Sequence, residues 1–133
     1  CMIPTAAREG YYQAKEAVAA LGEGRFTARG TELHDHLAAE LPVLIGEAGA
    51  YPAQADVVFT HSSSMPAWTH VGREYGFAEK IFHIYPDTGN VVSASIPAAM
   101  SLARKAGKLR KGDQVMFLMG SAGMSFALSR FVF

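Results

Sequence analysis

The chain has 133 residues, with twelve basic and twelve acidic side chains and therefore a formal net charge of zero. This length suits one domain, and half of the residues are hydrophobic, so the chain can bury a core. The balanced charge gives no reason to expect capture of nucleic acid or of an anionic membrane. Because no apolar run reaches membrane-spanning length and no signal peptide is visible, we expect a cytoplasmic protein.

The single cysteine is the first residue, so no internal disulfide can form. An N-terminal cysteine can act as a nucleophile with its own amine as the base, as in a hydrolase. The sequence Cys1-Met2-Ile3-Pro4 offers no glycine-rich turn or helix start that would activate a thiolate. We therefore favour the simpler interpretation, that the chain was cut before Cys1.

The first 24 residues are weakly patterned apart from a short helix expected over Ala14–Leu21. Thr31 is a good N-cap for a longer helix over about Glu32–Ala48, in which leucines recur at helical spacing. Pro42 lies inside this helix and should kink or split it.

Alternating strands and helices follow, and the last two strands are joined by a short turn over Gly120–Gly123. Ser64 can cap one of the helices, which Gly76 ends, and another helix is expected over Ile96–Ala106. This order predicts an α/β layered domain with a mixed sheet. The expected strands are Asp56–Thr60, Ile81–Tyr85, Gln114–Leu118 and Met124–Phe133.

Three candidate functional residues follow successive strands: His61, Asn90 and Gly120. Ligands of such sheets bind beyond the carboxyl ends of the strands. His61 and Asn90 can donate hydrogen bonds to one carbonyl oxygen and stabilise an oxyanion or enolate, with the Gly120 N–H as a third donor. His61 can instead serve as a general base. Each residue alone is more often structural, but their matching positions favour function.

The stretch DTGNVVSASIP, Asp87–Pro97, resembles the Gly-Asn-x-x-Ala/Ser-Ala-Ser-x-Pro segment of the β-ketoacyl-ACP synthase III family in the thiolase superfamily. The closing Leu109–Phe133 resembles the strand, glycine loop and strand of that family, with its Ala-Leu-x-Arg-Phe ending. His61 after DVVFT resembles the family's second active-site residue. The resemblance covers most of the chain from about Thr31 onward.

The resemblance implies a thiolase-like layered α/β fold with a mixed, five-stranded type of sheet, of which residues 1–133 form only the C-terminal half-domain. The nucleophilic cysteine of the family lies in the other half, so a missing N-terminal half or a partner chain would supply it, in a homo- or hetero-oligomer. We then expect the apolar runs Val115–Leu118 and Phe126–Phe133 to face a missing neighbour.

The resemblance also implies acyl transfer with decarboxylative Claisen condensation on acyl-thioesters. His61 and Asn90 would bind the thioester carbonyl of the incoming malonyl unit, and the Gly120 N–H would help form an oxyanion hole. Substrates would be carried on the phosphopantetheine of an acyl carrier protein or on coenzyme A, with no other cofactor and no metal. The residues implied to line the pantetheine channel are Gly30, Thr31, Ser62, Ser64 and Ser93.

This chain departs from the family at two places. The family has His-Gln-Ala-Asn followed by an arginine, whereas this chain has Ser62-Ser63-Ser64-Met65-Pro66 after the histidine, and its glycine loop contains fewer glycines. The preferred carrier and acyl group are therefore open. Two alternatives remain: a non-catalytic partner subunit that shapes the pocket of an active chain, and an acyltransferase to an oxygen or nitrogen acceptor.

Overall fold

The computed structural model of the protein describes residues 30–121 and 125–133. The chain divides into two units, Cys1–His36 and Leu37–Phe133, and residues 30–36 are the described part of the first. The expectations for Cys1 and for a helix over Ala14–Leu21 lie outside the described residues.

Helices and strands are both present, as the sequence predicts, but three helices in succession separate the first two strands where one intervening strand was expected. Short 3-10 turns cover Ala78–Lys80 and Val92–Ala94. The helices and strands are, in chain order, α1 Gly30–Glu47, α2 Tyr51–Gln54, β1 Val57–Thr60, α3 Met65–Glu74, α4 Tyr85–Thr88, α5 Ser95–Lys105, β2 Gln114–Ser121 and β3 Ser125–Val132.

The strands form a mixed sheet in the order β1-β2-β3. β1 runs parallel to β2, with Val57 beside Val115 and Thr60 beside Leu118. β2 and β3 form an antiparallel hairpin. The predicted mixed sheet is confirmed, and its described part has three strands where a five-stranded type was expected.

The sheet is covered on both faces because side chains alternate along each strand. On one face, Val58 packs in a cluster with Leu41 and Ile45 of α1. On the other face, Phe59 packs in a cluster with Ala99 of α5. The second unit is therefore layered as helix, sheet and helix, and the carboxyl end of β1 opens between these layers.

The expectation that Val115–Leu118 faces a missing neighbour is wrong. Val115, Met116 and Leu118 are fully buried, because β2 is the middle strand and has helices over both faces. The hairpin strand β3 differs, since each of its side chains is either exposed or only partly buried.

The strand expected over Ile81–Tyr85 is reduced to one bridge, between Ile81 and Val58 on the open edge of β1. The following N–H, of Phe82, still donates to the Val58 carbonyl at 3.0 Å. The chain then turns into α4, which has a proline in its first turn, where a missing N–H costs least. A short apolar run does not by itself distinguish a strand from another buried segment.

The helix boundaries agree with the sequence at α3 and α5 and differ at α1. Ser64 caps α3 by accepting the Ala67 N–H at 3.4 Å, as expected. α1 already includes Thr31, so this residue does not precede the helix as an N-cap would. The helix also continues through Pro42 without splitting.

Gly72 allows α3 to lie directly against the 3-10 turn at Ala78. A Cβ atom on Gly72 would stand 2.7 Å from the Ala78 Cα and 2.9 Å from its nitrogen, and neither backbone atom can move aside cheaply. We expect Gly72→Ala to lower the free energy of unfolding by about 1–3 kcal/mol, measured by urea unfolding.

The matched control is Gly46→Ala in α1, where a new Cβ meets nothing within 4 Å. That change should raise the free energy of unfolding by roughly 0.5–1 kcal/mol, because alanine loses less backbone entropy than glycine in a helix. Equal stability of the two variants would show that the contact between α3 and the 3-10 turn does not constrain the fold.

Candidate active site

His61 directly follows β1 and leaves the sheet at the carboxyl end of that strand. Its N–H donates to the carbonyl oxygen of Leu118 at 3.2 Å. Its own carbonyl accepts the Ser63 N–H and the Trp68 Nε1–H, both at 2.8 Å. Three hydrogen bonds therefore fix the backbone from which the imidazole ring projects.

The imidazole ring of His61 lies near the start of α5. Its Nδ1 is 3.5 Å from Oγ of Ser95, a buried side chain whose hydroxyl donates to the Val92 carbonyl at 2.7 Å. Because the hydroxyl proton is already used, Ser95 can only accept a hydrogen bond from the ring. This arrangement favours the tautomer with the proton on Nδ1, which leaves the lone pair on Nε2.

Burial lowers the pKa of His61 below its ordinary value of 6.5, and a hydrogen bond between the ring and the Val92 backbone opposes part of that shift. The ring is therefore neutral near pH 7. Its Nε2 can accept a proton, and it can donate to a ligand oxygen once it carries that proton.

Asn90 lies on the loop after α4. The loop begins at Gly89, whose φ of 65° and ψ of −159° lie in a region that is essentially restricted to glycine. The Asn90 side-chain oxygen accepts the Val92 N–H at 2.9 Å. Because Oδ1 is engaged, the exposed amide NH₂ group, which can only donate, is left to face a ligand.

Hydrogen bonds join the loop of His61 to the loop of Asn90. The buried Ser62 hydroxyl donates to the Gly89 carbonyl at 2.8 Å. The Val92 N–H donates to the Asn90 side chain, and the Val92 carbonyl accepts the Ser95 hydroxyl, which lies 3.5 Å from His61 Nδ1. The structure thus brings together His61, Asn90 and Ser62, which the sequence singled out separately.

Gly120 lies within β2, paired with Phe126, and not in the turn that the sequence predicts. Backbone groups of a strand alternate between its two edges, and the Leu118 carbonyl faces β1, where it accepts the His61 N–H. The Gly120 N–H, two residues on, therefore points to the same side. The last β1–β2 pair is Thr60 with Leu118, so this N–H lies beyond the end of β1. A role for Gly120 in an oxyanion hole stays a prediction.

The other residues expected to bind substrate lie at helix ends. Ser64 is exposed at the N-terminus of α3, and Ser93 is exposed in the 3-10 turn before α5. Gly30 and Thr31 are the first residues of α1. Their place along a pantetheine channel stays a prediction.

The sequence analysis missed three residues of this region. Val92 and Ser95 contact the His61 ring across 31 and 34 positions of sequence, and no local pattern reveals such contacts. His83 shares with His61 a small, open pocket whose walls also include Trp68. Burial lowers the pKa of His83 below its ordinary value of 6.5. It was overlooked because it lies in the run interpreted as a strand.

Within residues 30–121 and 125–133, no group of three or more His, Cys, Asp or Glu side chains could hold a metal ion. In the same part of the chain, no helix has the length and hydrophobicity needed to cross a membrane.

Comparison with known proteins identifies relatives in sequence. The family model for the C-terminal part of 3-oxoacyl-[acyl-carrier-protein (ACP)] synthase III matches residues 45–131. The β-ketoacyl-[acyl-carrier-protein] synthase III of Nitratidesulfovibrio vulgaris is 35% identical over 91 residues, which cover 66% of this chain and 28% of the relative. The synthase III of Synechocystis sp. is 31% identical over 109 residues, which cover 77% of this chain and 33% of the relative. The chain thus spans about a third of the length of the curated relatives it matches.

Solved structures show the same fold. The β-ketoacyl-[acyl-carrier-protein] synthase III from Thermus thermophilus matches with a TM-score of 0.73 at 23% identity, covering 84% of this chain and 36% of that structure. OleA from Xanthomonas campestris matches with a TM-score of 0.67 at 22% identity, covering 84% of this chain and 34% of that structure. These similarities confirm the expected thiolase-like fold.

The lowered pKa values of His61 and His83 predict that acid destabilises the fold. A histidine whose pKa is lower in the folded than in the unfolded chain binds fewer protons when folded. The contribution of such a histidine to the free energy of unfolding is therefore fully present above the unfolded pKa of 6.5. It is lost as the pH falls from 6.5 through the lower pKa of the folded state. We expect His83→Gln to reduce the stability loss between about pH 8 and about pH 5, measured from urea midpoints.

The control is His70→Gln, which changes an exposed histidine on α3. This variant should lose as much stability in acid as the wild type. If His83→Gln also loses as much, the burial of His83 does not contribute to the acid sensitivity.

Proposed function

Because this chain belongs to the 3-oxoacyl-[acyl-carrier-protein] synthase III family, we propose that it forms the C-terminal half of a site that condenses acyl-thioesters. The observation that supports this function best is that Val92 links both side chains: its N–H donates to Asn90 Oδ1 at 2.9 Å, and its carbonyl accepts the Ser95 hydroxyl, whose Oγ lies 3.5 Å from His61 Nδ1. One residue thereby orients both side chains, as joint action on a single carbonyl oxygen requires.

The proposed reaction begins with an acyl group on a cysteine thiol supplied by an N-terminal half or a partner chain. A malonyl thioester binds with its carbonyl oxygen near Asn90 Nδ2 and His61 Nε2. Loss of CO₂ leaves the bonding electron pair in an enolate, whose negative oxygen the Asn90 amide stabilises directly and His61 stabilises once its Nε2 has taken up a proton from solvent. The enolate carbon then attacks the acyl carbonyl, the new carbon–carbon bond forms, and the cysteine thiolate leaves.

Gly120 supports the acyl-enzyme step of this proposal. Its N–H faces the β1 side of β2, beyond the last residue that β1 pairs. A backbone donor in that position can stabilise the oxyanion that forms when the acyl carbonyl is attacked.

Substrates would arrive on the phosphopantetheine of an acyl carrier protein or of coenzyme A. The segment Ser62–Pro66 lacks the arginine that the resemblance places after the histidine, so the carrier must be identified directly.

Substitution of the two side chains tests this function in the assembled protein. We expect His61→Ala and Asn90→Ala each to lower kcat for condensation by about 10²-fold or more, because each removes a group that stabilises the enolate. Acylation of the cysteine should persist, because it precedes the step that needs these groups. CO₂ release, condensation and acylation are to be measured separately.

The matched control is His70→Ala, which removes an exposed imidazole from α3 without touching the site. Full condensation activity in His61→Ala would overturn the proposal and favour the non-catalytic partner subunit. Retained acyl transfer to a hydroxyl or amine acceptor, without CO₂ release in the wild type, would favour the second alternative.

The intact mass of the denatured native protein tests where the nucleophile lies. We expect either a second polypeptide with a reactive cysteine or one longer chain that contains this sequence. A single species that starts at Cys1 would leave His61 and Asn90 without the family nucleophile. Blocking the amine of Cys1 would then decide whether the N-terminal cysteine performs the chemistry.

A further inference from the structure

Val92 has a strained backbone between the two candidate catalytic residues. Its φ of 51° is the positive value of a left-handed conformation, and no other non-glycine residue in the described part of the chain has one. A β-branched side chain is a genuine outlier there, because its Cβ substituents crowd the backbone. A valine at this position therefore costs conformational free energy.

Nothing within the described unit compensates for that strain. The Val92 side chain is 66% exposed, so it contributes little to the hydrophobic core. Its N–H and carbonyl bind the Asn90 side chain and the Ser95 hydroxyl, but a glycine or an asparagine would make the same two bonds with less strain. Neither packing nor backbone hydrogen bonding explains why the residue is a valine.

The position of the exposed isopropyl group suggests its role. The same residue donates its N–H to the Asn90 side chain and, with its carbonyl, accepts the Ser95 hydroxyl that lies 3.5 Å from the His61 ring, so its Cβ is only a few bond lengths from both candidate catalytic groups. Small-molecule sites pair a few orienting polar groups with an apolar surface of this kind.

We propose that Val92 is a specificity-determining residue whose isopropyl group forms a wall against the α-carbon of the incoming thioester. This inference rests on the proposed function, in which His61 and Asn90 hold the carbonyl oxygen of that thioester. The α-carbon is bonded directly to that carbonyl carbon, so it is the part of the substrate nearest to the wall. The size of residue 92 then limits which α-substituents the site accepts.

The test compares two substrates that differ by one methyl group, a malonyl thioester and a methylmalonyl thioester, in the assembled protein. Val92→Gly removes the wall and should shift the ratio of kcat/KM values toward the methyl-substituted unit by about fourfold, the value of one buried methylene. Val92→Ile keeps the β-branch and the backbone bonds but adds a methylene, so it should shift the same ratio in the opposite direction. Val132→Ala, which trims an exposed valine of β3, should leave the ratio unchanged.

Opposite shifts in the glycine and isoleucine variants would support the wall. A ratio that stays constant in both variants, or that moves in the same direction in both, would overturn it. A fall in kcat/KM that is equal for the two thioesters would assign Val92 a structural role only. Failure of the proposed function can be distinguished from failure of this inference. If the proposed function is wrong, His61→Ala keeps its condensation activity, whatever ratio of kcat/KM values the Val92 variants show.

Discussion

The parallel pairing of β1 with β2 is the constraint on which the rest of the structure depends. It places four buried β1 residues beside the middle strand, so that helices pack on both faces and one strand end opens between them. The last bond of this pairing, from the His61 N–H to the Leu118 carbonyl, also fixes the histidine at that opening. Because the pairing stops there, the Gly120 N–H two residues further along β2 is left without a β1 partner. One set of backbone hydrogen bonds thus builds the core and aims two of the candidate site groups.

The site itself is a junction between two loops, and Val92 is its centre. A left-handed backbone conformation directs the N–H of this residue to Asn90 and its carbonyl to the Ser95 hydroxyl, which lies beside the His61 ring. Gly89, in a conformation open only to glycine, brings the loop close enough for the Ser62 hydroxyl to reach it. The left-handed conformation of Val92 costs conformational free energy. In return, the relative orientation of the histidine and the asparagine no longer depends on flexible side chains.

Sequence reasoning succeeded where structure is locally determined. The strand β1 is a compact β-branched run, and α3 carries its own cap at Ser64, so both were predicted within a residue or two. Prediction from sequence failed where a residue pairs with or contacts a residue that is distant in sequence. The run after Ile81 had no strand to continue its pairing, and Gly120 joined β2 because Phe126 pairs with it across the hairpin. His61 and Asn90 were identified because each follows an apolar run that ends in a recognisable polar turn. The contacts that join the His61 loop to the segment that follows α4 span about thirty positions of sequence, and no periodicity encodes such contacts.

The two side chains also differ in electrostatics, and this difference suits the proposed chemistry. The Asn90 amide donates at any pH, because its oxygen is already bound to the Val92 N–H. His61 is held neutral by burial in the resting site, with its lone pair on Nε2. A negative oxygen developing beside that nitrogen raises the proton affinity of the ring, since an opposite charge nearby favours the protonated form. The histidine can thus take up a proton from solvent on Nε2 and donate it in a hydrogen bond as the enolate forms, and it releases that proton again as the negative charge moves into the new carbon–carbon bond. Such a pair stabilises the charged intermediate more than the neutral thioester, which is the condition for lowering the barrier.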